Sequence, residues 1–140
     1  MIFRFLKLFL IFSTLISNSE AKTQFFSEGL SFYKNKKFEE AKFKFEQDIV
    51  FNPKSELSYL YLSKIFKNLK KKDLEEQNLN TVILLNPRNE DAIYSLARLK
   101  LDSSDYKKSK ELNERLRSLC DKFCSQSQKL TIEIENLSKK

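Results

Sequence analysis

The chain has 140 residues, of which 32% are charged and 41% hydrophobic, with a net charge of +7; this length suits one domain with a soluble core. It has no histidine, which removes the commonest general base, the usual proton shuttle and the usual zinc ligand. One glycine, two prolines and few β-branched runs favour an all-α fold.

Residues 1–21 read as a secretory signal peptide. Arg4 and Lys7 supply a positive start, Leu8 to Ile16 is a short apolar run, and Ser19-Glu20-Ala21 puts small residues where a signal peptidase reads, so cleavage is expected before Lys22. The apolar run is short for a transmembrane helix, which needs about 20 residues. No cysteine follows it, which argues against a bacterial lipoprotein anchor. The alternative is an uncleaved N-terminal anchor; either way the rest of the chain is sent across a membrane, and the bacterial periplasm is the expected place. Removing residues 1–21 takes away Arg4, Lys7 and Glu20, leaving +6.

The next stretch carries two apolar faces at helical spacing. A helix A1 is predicted from about Thr23, its N-cap, to Lys34, with Phe25, Glu28-Gly29 and Phe32 in sequence. A helix B1 from about Phe38 to Phe51 places Phe38, Ala41 and Phe45 on one face, and Pro53 ends the hairpin. Gly29 costs about 1 kcal/mol in mid-helix, so it needs a packing reason: close approach of the paired helix.

The closing pair Asn52-Pro53 recurs 34 residues later as Asn86-Pro87. A second hairpin begins near Ser55, another expected cap. Its helix A2 carries Tyr59, Leu62, Ser63 and Phe66 at the offsets of Phe25, Glu28, Gly29 and Phe32. Helix B2 runs from about Asp73 to Leu85, with Leu79 at the offset of Phe45. Glu75 stands at the offset of Ala41, a departure expected to splay the helix pair or bring Leu74 into the gap. The third hairpin opens with Asn89-Glu90-Asp91, a cap followed by acids that suit the helix dipole. Ala97 takes the small site, Tyr106 matches Phe38 and Ser109 matches Ala41. Asn113 replaces the aromatic, making this the weakest repeat. Its closing proline is replaced by Cys120-Asp121-Lys122-Phe123-Cys124, and a last amphipathic helix carries Leu130, Ile134 and Leu137.

A helix–turn–helix unit of about 34 residues with these features resembles the tetratricopeptide repeat (TPR) family. The resemblance covers about residues 22–137. It implies three TPR hairpins, about 22–55, 56–89 and 90–123, stacked as a right-handed solenoid within a domain of residues 22–140. A capping helix, about 124–138, would shield the last apolar face. It also implies a binding function, because in that family the A helices line a concave groove. The matching groove positions are Thr23, Phe26, Leu30, Tyr33 and Lys34 in the first repeat, then Leu57, Leu60, Lys64, Lys67 and Asn68, then Asp91, Tyr94, Arg98, Leu101 and Asp102. A peptide would set an apolar side chain near Phe26, Leu60 and Tyr94 and a carboxylate near Lys64, Lys67 or Arg98. Alternatively, the N-terminal segment or the capping helix covers part of this face. One family chemistry is missing. Domains that grip the C-terminal carboxylate of cytosolic heat-shock chaperones use Lys and Asn where this chain has Phe26 and Leu30, and Lys and Arg where it has Asp91 and Ser95.

Cys120 and Cys124 are the only cysteines. An even count in an exported chain favours a disulfide that fixes the turn before the capping helix; the sharper alternative is a redox-active pair. The lysine-rich surface reads as a solvated face, including Lys70 to Lys72 in a predicted turn, with weak contact to a membrane surface as the other reading. The carboxylates read as partners in ion pairs such as Glu40–Lys44 and Lys36–Glu40. No nucleophile motif, phosphate loop or nucleic-acid module is seen. The sequence therefore implies a protein- or peptide-binding scaffold of the cell envelope, with no enzyme activity, cofactor or nucleic-acid partner expected.

Overall fold

The computed structural model describes residues 23–139. The expected signal peptide, residues 1–21, lies outside the described residues. Among the described residues there are seven helices and no strand. They are α1 (Gln24–Lys34), α2 (Phe38–Phe51), α3 (Glu56–Asn68), α4 (Lys72–Leu85), α5 (Glu90–Asp102), α6 (Tyr106–Leu119) and α7 (Cys124–Leu137). The first six pair as three antiparallel hairpins, each stacked on the next through its second helix, and α7 packs on α6.

Local chemistry starts α1 and α5 and stops each A helix. The hydroxyl of Thr23 accepts from the Phe26 amide at 3.1 Å, and the Asn89 side chain accepts from the Ala92 amide at 2.8 Å. Ser55 precedes α3 but does not cap it; its hydroxyl donates to Ser58 Oγ at 3.1 Å instead. Within each hairpin the A helix closes through a residue at positive φ: Lys36 (59°), Lys70 (56°) and Ser104 (61°), one per repeat. The next amide in each case bonds back to Phe32, Phe66 or Lys100 oxygen at 2.9–3.0 Å, the bonding that satisfies the last helical carbonyls. No glycine serves these turns, so each bears about 1 kcal/mol of left-handed strain.

The single glycine is needed elsewhere. A Cβ on Gly29 would lie 2.9 Å from Phe45 Cε1, so α2 approaches α1 closely at this point. Ser63 and Ala97 hold the equivalent sites and are buried. Ser63 satisfies its hydroxyl on Leu60 oxygen at 2.7 Å, and Ala97 oxygen accepts from Ser109 Oγ at 2.8 Å. These contacts organise two apolar clusters. One joins Phe26, Ala41, Phe45, Leu62, Ile65 and Phe66. The other runs from Leu60 and Leu79 through Ile93, Leu96 and Leu112 to Leu130 and Ile134. Helix α3 feeds both, and so ties the first repeat to the rest.

Two details differ from expectation. At the site of Ala41 in the second repeat, Leu74 does not turn inward: it is 38% exposed, and Glu75 itself is buried at 5%. Burial pushes the Glu75 carboxyl above its usual range. The third repeat is well anchored despite Asn113. This side chain is buried and donates to Ser127 oxygen at 3.1 Å and Thr131 Oγ1 at 2.8 Å, while accepting from Ser127 Oγ at 2.8 Å. The residue that breaks the repeat pattern is the one that docks α7.

Candidate functional site

The A helices α1, α3 and α5 form one layer, and the groove positions fall on them unevenly. Phe26, Leu60 and Leu101 are buried members of the apolar clusters, so their side chains build the core beneath the layer rather than its exposed lining. Leu30, Tyr33 and Tyr94 are half-buried, Leu57 is 40% exposed and Lys67 is exposed. Thr23 is committed to the α1 cap and to Asp48.

Aromatic rings define the first two repeats of this face. Tyr33 meets Tyr61 edge-on at 5.0 Å between centroids, and Tyr61 stacks on Phe45 at 5.2 Å. Burial raises the Tyr33 pKa, with nearby Lys64 pulling it the other way, so the phenol stays protonated and can donate to a ligand. Tyr61 lies next to Leu60, a position the family pattern marks, but is not itself marked by that pattern.

The cations are arranged differently from the expectation. Lys64 Nζ sits 2.6 Å from Asp91 Oδ2 and 5.7 Å from the Tyr61 ring centroid. Arg98 is bonded to Glu133 of α7 and lies 3.8 Å from Asp102. Burial lowers the Arg98 pKa, but Glu133 more than offsets this and holds the guanidinium charged. Neither cation is therefore free to receive a partner's carboxylate, whereas Lys67 and Lys34 are exposed. Tyr94 packs on Phe123 at 5.3 Å. Helix α7 and the residue before it thus take up the third repeat's part of the face through Arg98 and Tyr94, leaving Leu30, Tyr33, Tyr61 and Lys67 as the open part.

The ion pairs expected along α2 also differ: Lys44 reaches across to Glu28 at 2.7 Å, and Lys42 pairs with Glu39 at 3.0 Å. Cys120 and Cys124 are paired at the α6–α7 junction, with Cα atoms 4.9 Å apart. Among the described residues no His, Cys, Asp and Glu cluster could hold a metal ion, and no helix is long and apolar enough to cross a membrane.

No family model matches the chain, and no curated protein matches it. Solved structures do. The Yersinia enterocolitica type III secretion chaperone SycD, in complex with a peptide of the translocator YopD, superposes with a TM-score of 0.75 at 16% identity, over 88% of this chain and 98% of that one. The TPR2B domain of yeast Sti1, in a complex with pHsp70, gives 0.72 at 14% identity over 79% and 92%. The Arabidopsis OM64 TPR domain gives 0.69 at 20% identity over 79% and 93%. The likeness is one of fold: three stacked TPR hairpins with a C-terminal helix.

Proposed function

We propose that this TPR fold serves as a non-catalytic scaffold that binds a protein or peptide segment against α1 and α3. The observation that carries this reading is the edge-on contact of half-buried Tyr33 and Tyr61 on α1 and α3, with Lys67 exposed further along α3. An aromatic floor with a cation at its rim suits an extended segment bearing an apolar side chain and an acidic group. That SycD is solved with a peptide of its translocator supports a peptide ligand for this fold. The preformed stack would lose little ordering entropy on binding.

We place this activity in the bacterial cell envelope, because residues 1–21 have the layout of a signal peptide. An oxidising compartment would then keep Cys120 and Cys124 as a disulfide. A photo-cross-linking residue at Tyr33, compared with one at Leu84 on α4, tests the site. Capture from Tyr33 alone, lost on Lys67→Glu, is expected; equal capture from both positions overturns it.

A second reading is a tether made by an uncleaved N-terminal segment. It is favoured by Val50 and Phe51, 74% and 70% exposed near the start of α1, where Phe25 stacks on Phe51 at 5.2 Å. N-terminal sequencing of the exported protein decides: a start at Lys22 removes the tether.

A further inference from the structure

The turns inside the first two hairpins bear Lys36 and Lys37, and Lys70, Lys71 and Lys72. Lys36 and Lys70 hold equivalent positive-φ positions, so the two turns project from the same edge of the stack. All five lysines are exposed, and none takes part in an ion pair among the described residues, although Lys72 lies near enough to the buried Glu75 carboxyl to act on it. The exposed acids nearest in sequence are Glu39, Glu40 and Asp73, of which Glu39 is occupied by Lys42. The equivalent third turn is built the other way. It carries Asp102 and Asp105, and Asp105 caps α6 from within the chain, whereas α2 and α4 begin at Lys37 and Lys71 with no side-chain cap. Positive charge is thus concentrated on two of three equivalent turns.

We propose that this edge docks on an anionic lipid bilayer. The lysines stand on the tips of two loops, which form a projecting edge rather than a groove, and a broad charged surface can meet both tips at once. Neither turn carries the arginine forks or aromatic rings with which nucleic acid is held. Leu74, exposed directly after the second lysine run, supplies an apolar side chain at the same edge. Juxtamembrane lysine clusters bind anionic headgroups through additive point-charge attraction that salt screens. The edge lies at the far end of α1 from Thr23, roughly 16 Å away for an 11-residue helix.

The test is co-sedimentation of the exported chain, with whatever N-terminus it carries, on vesicles of phosphatidylcholine alone or with about a third phosphatidylglycerol. Partition onto the anionic vesicles should be at least about tenfold stronger, and the difference should vanish in roughly 0.5 M salt. Replacing Lys36→Gln, Lys37→Gln, Lys70→Gln and Lys71→Gln together should remove most of that difference with helicity unchanged. Replacing Lys54→Gln, Arg117→Gln and Lys129→Gln, which are exposed away from the turns inside the hairpins, should preserve it. Equal partition onto both vesicles, an equal loss in both variants, or tighter binding to duplex DNA than to anionic vesicles would each overturn the proposal. Cross-linking from Tyr33 does not involve these lysines, so the groove and the edge succeed or fail separately.

Discussion

Glu56 and Glu90 stand one repeat apart and perform the same task. Each is the first residue of an A helix, and each carboxylate holds the turn that follows the next B helix. Glu56 accepts from the side-chain amides of Asn86, at 3.1 Å, and Asn89. Glu90 accepts from the backbone amides of Asp121, Lys122 and Phe123 at 2.6, 2.7 and 2.8 Å. Where the third repeat lacks Asn-Pro, the backbone itself supplies the donors.

Glu90→Gln should therefore lower stability by roughly 1–2 kcal/mol at neutral pH, since it weakens three charge-assisted hydrogen bonds. Burial pushes the Glu90 carboxyl up, but the three amides outweigh it and hold its pKa below the ordinary value. A depressed folded-state pKa means the stabilisation is present above the unfolded value of about 4.3 and is lost as pH falls through the folded value. Urea unfolding at about pH 7 and pH 3 should show the gap between wild type and Glu90→Gln closing in acid. A gap that stays constant with pH would show that the charge is not what holds the turn.

Glu75 has the opposite sign. Its pKa is raised, chiefly by burial, so its contribution is best below the unfolded pKa and is lost as pH rises through the folded value. Glu75→Gln removes the charge and keeps the shape. It should stabilise the protein by under about 1 kcal/mol near pH 7 and have no effect near pH 4. Thermal melts at the two pH values check this; a destabilised variant at pH 7 would mean the carboxylate is paired in solution.

Gly29→Ala places two effects against each other. Alanine favours the helix by about 1 kcal/mol. Its Cβ would meet Phe45 Cε1 at 2.9 Å and Lys44 Cβ at 3.2 Å, and Phe45 is fully buried. Overpacking of this kind costs about 1–3 kcal/mol, so a net loss of roughly 1 kcal/mol is expected in denaturant unfolding. A gain would mean that α1 and α2 can separate there without loss.

The hairpins and their order were legible in the sequence because they depend on local signals: Asn-Pro turns, caps at Thr23 and Asn89, and small residues at 29, 63 and 97. The lining of the groove was less legible. Family spacing marks a direction on each A helix, but the depth of Leu60 and Leu101 depends on neighbouring helices that fill in around them. The engagement of the cations is not visible in the sequence for a similar reason: Asp91 comes from the next A helix and Glu133 from α7, so neither partner lies close in sequence to the lysine or arginine it neutralises. Glu75 and Asn113 were visible as departures from the pattern, and both prove to be buried polar positions.

Asn113 is where such a departure has the clearest structural purpose. Its amide and carbonyl groups meet Ser127 and Thr131 on α7, and Ser127 is wholly buried. Asn113→Ala would leave the Ser127 hydroxyl without its closest acceptor in a site that excludes water, so a loss of about 2–3 kcal/mol is expected. The loss should be local. Helix α7 joins the array mainly through α6, so its amides should exchange with solvent much faster in the variant while those of α1 and α2 keep their protection. Because α7 carries Glu133, and Phe123 immediately precedes it, loosening α7 should free Arg98 and expose Tyr94. Uniform loss of protection across all seven helices would show instead that the array unfolds as one unit and that α7 is no separable cap.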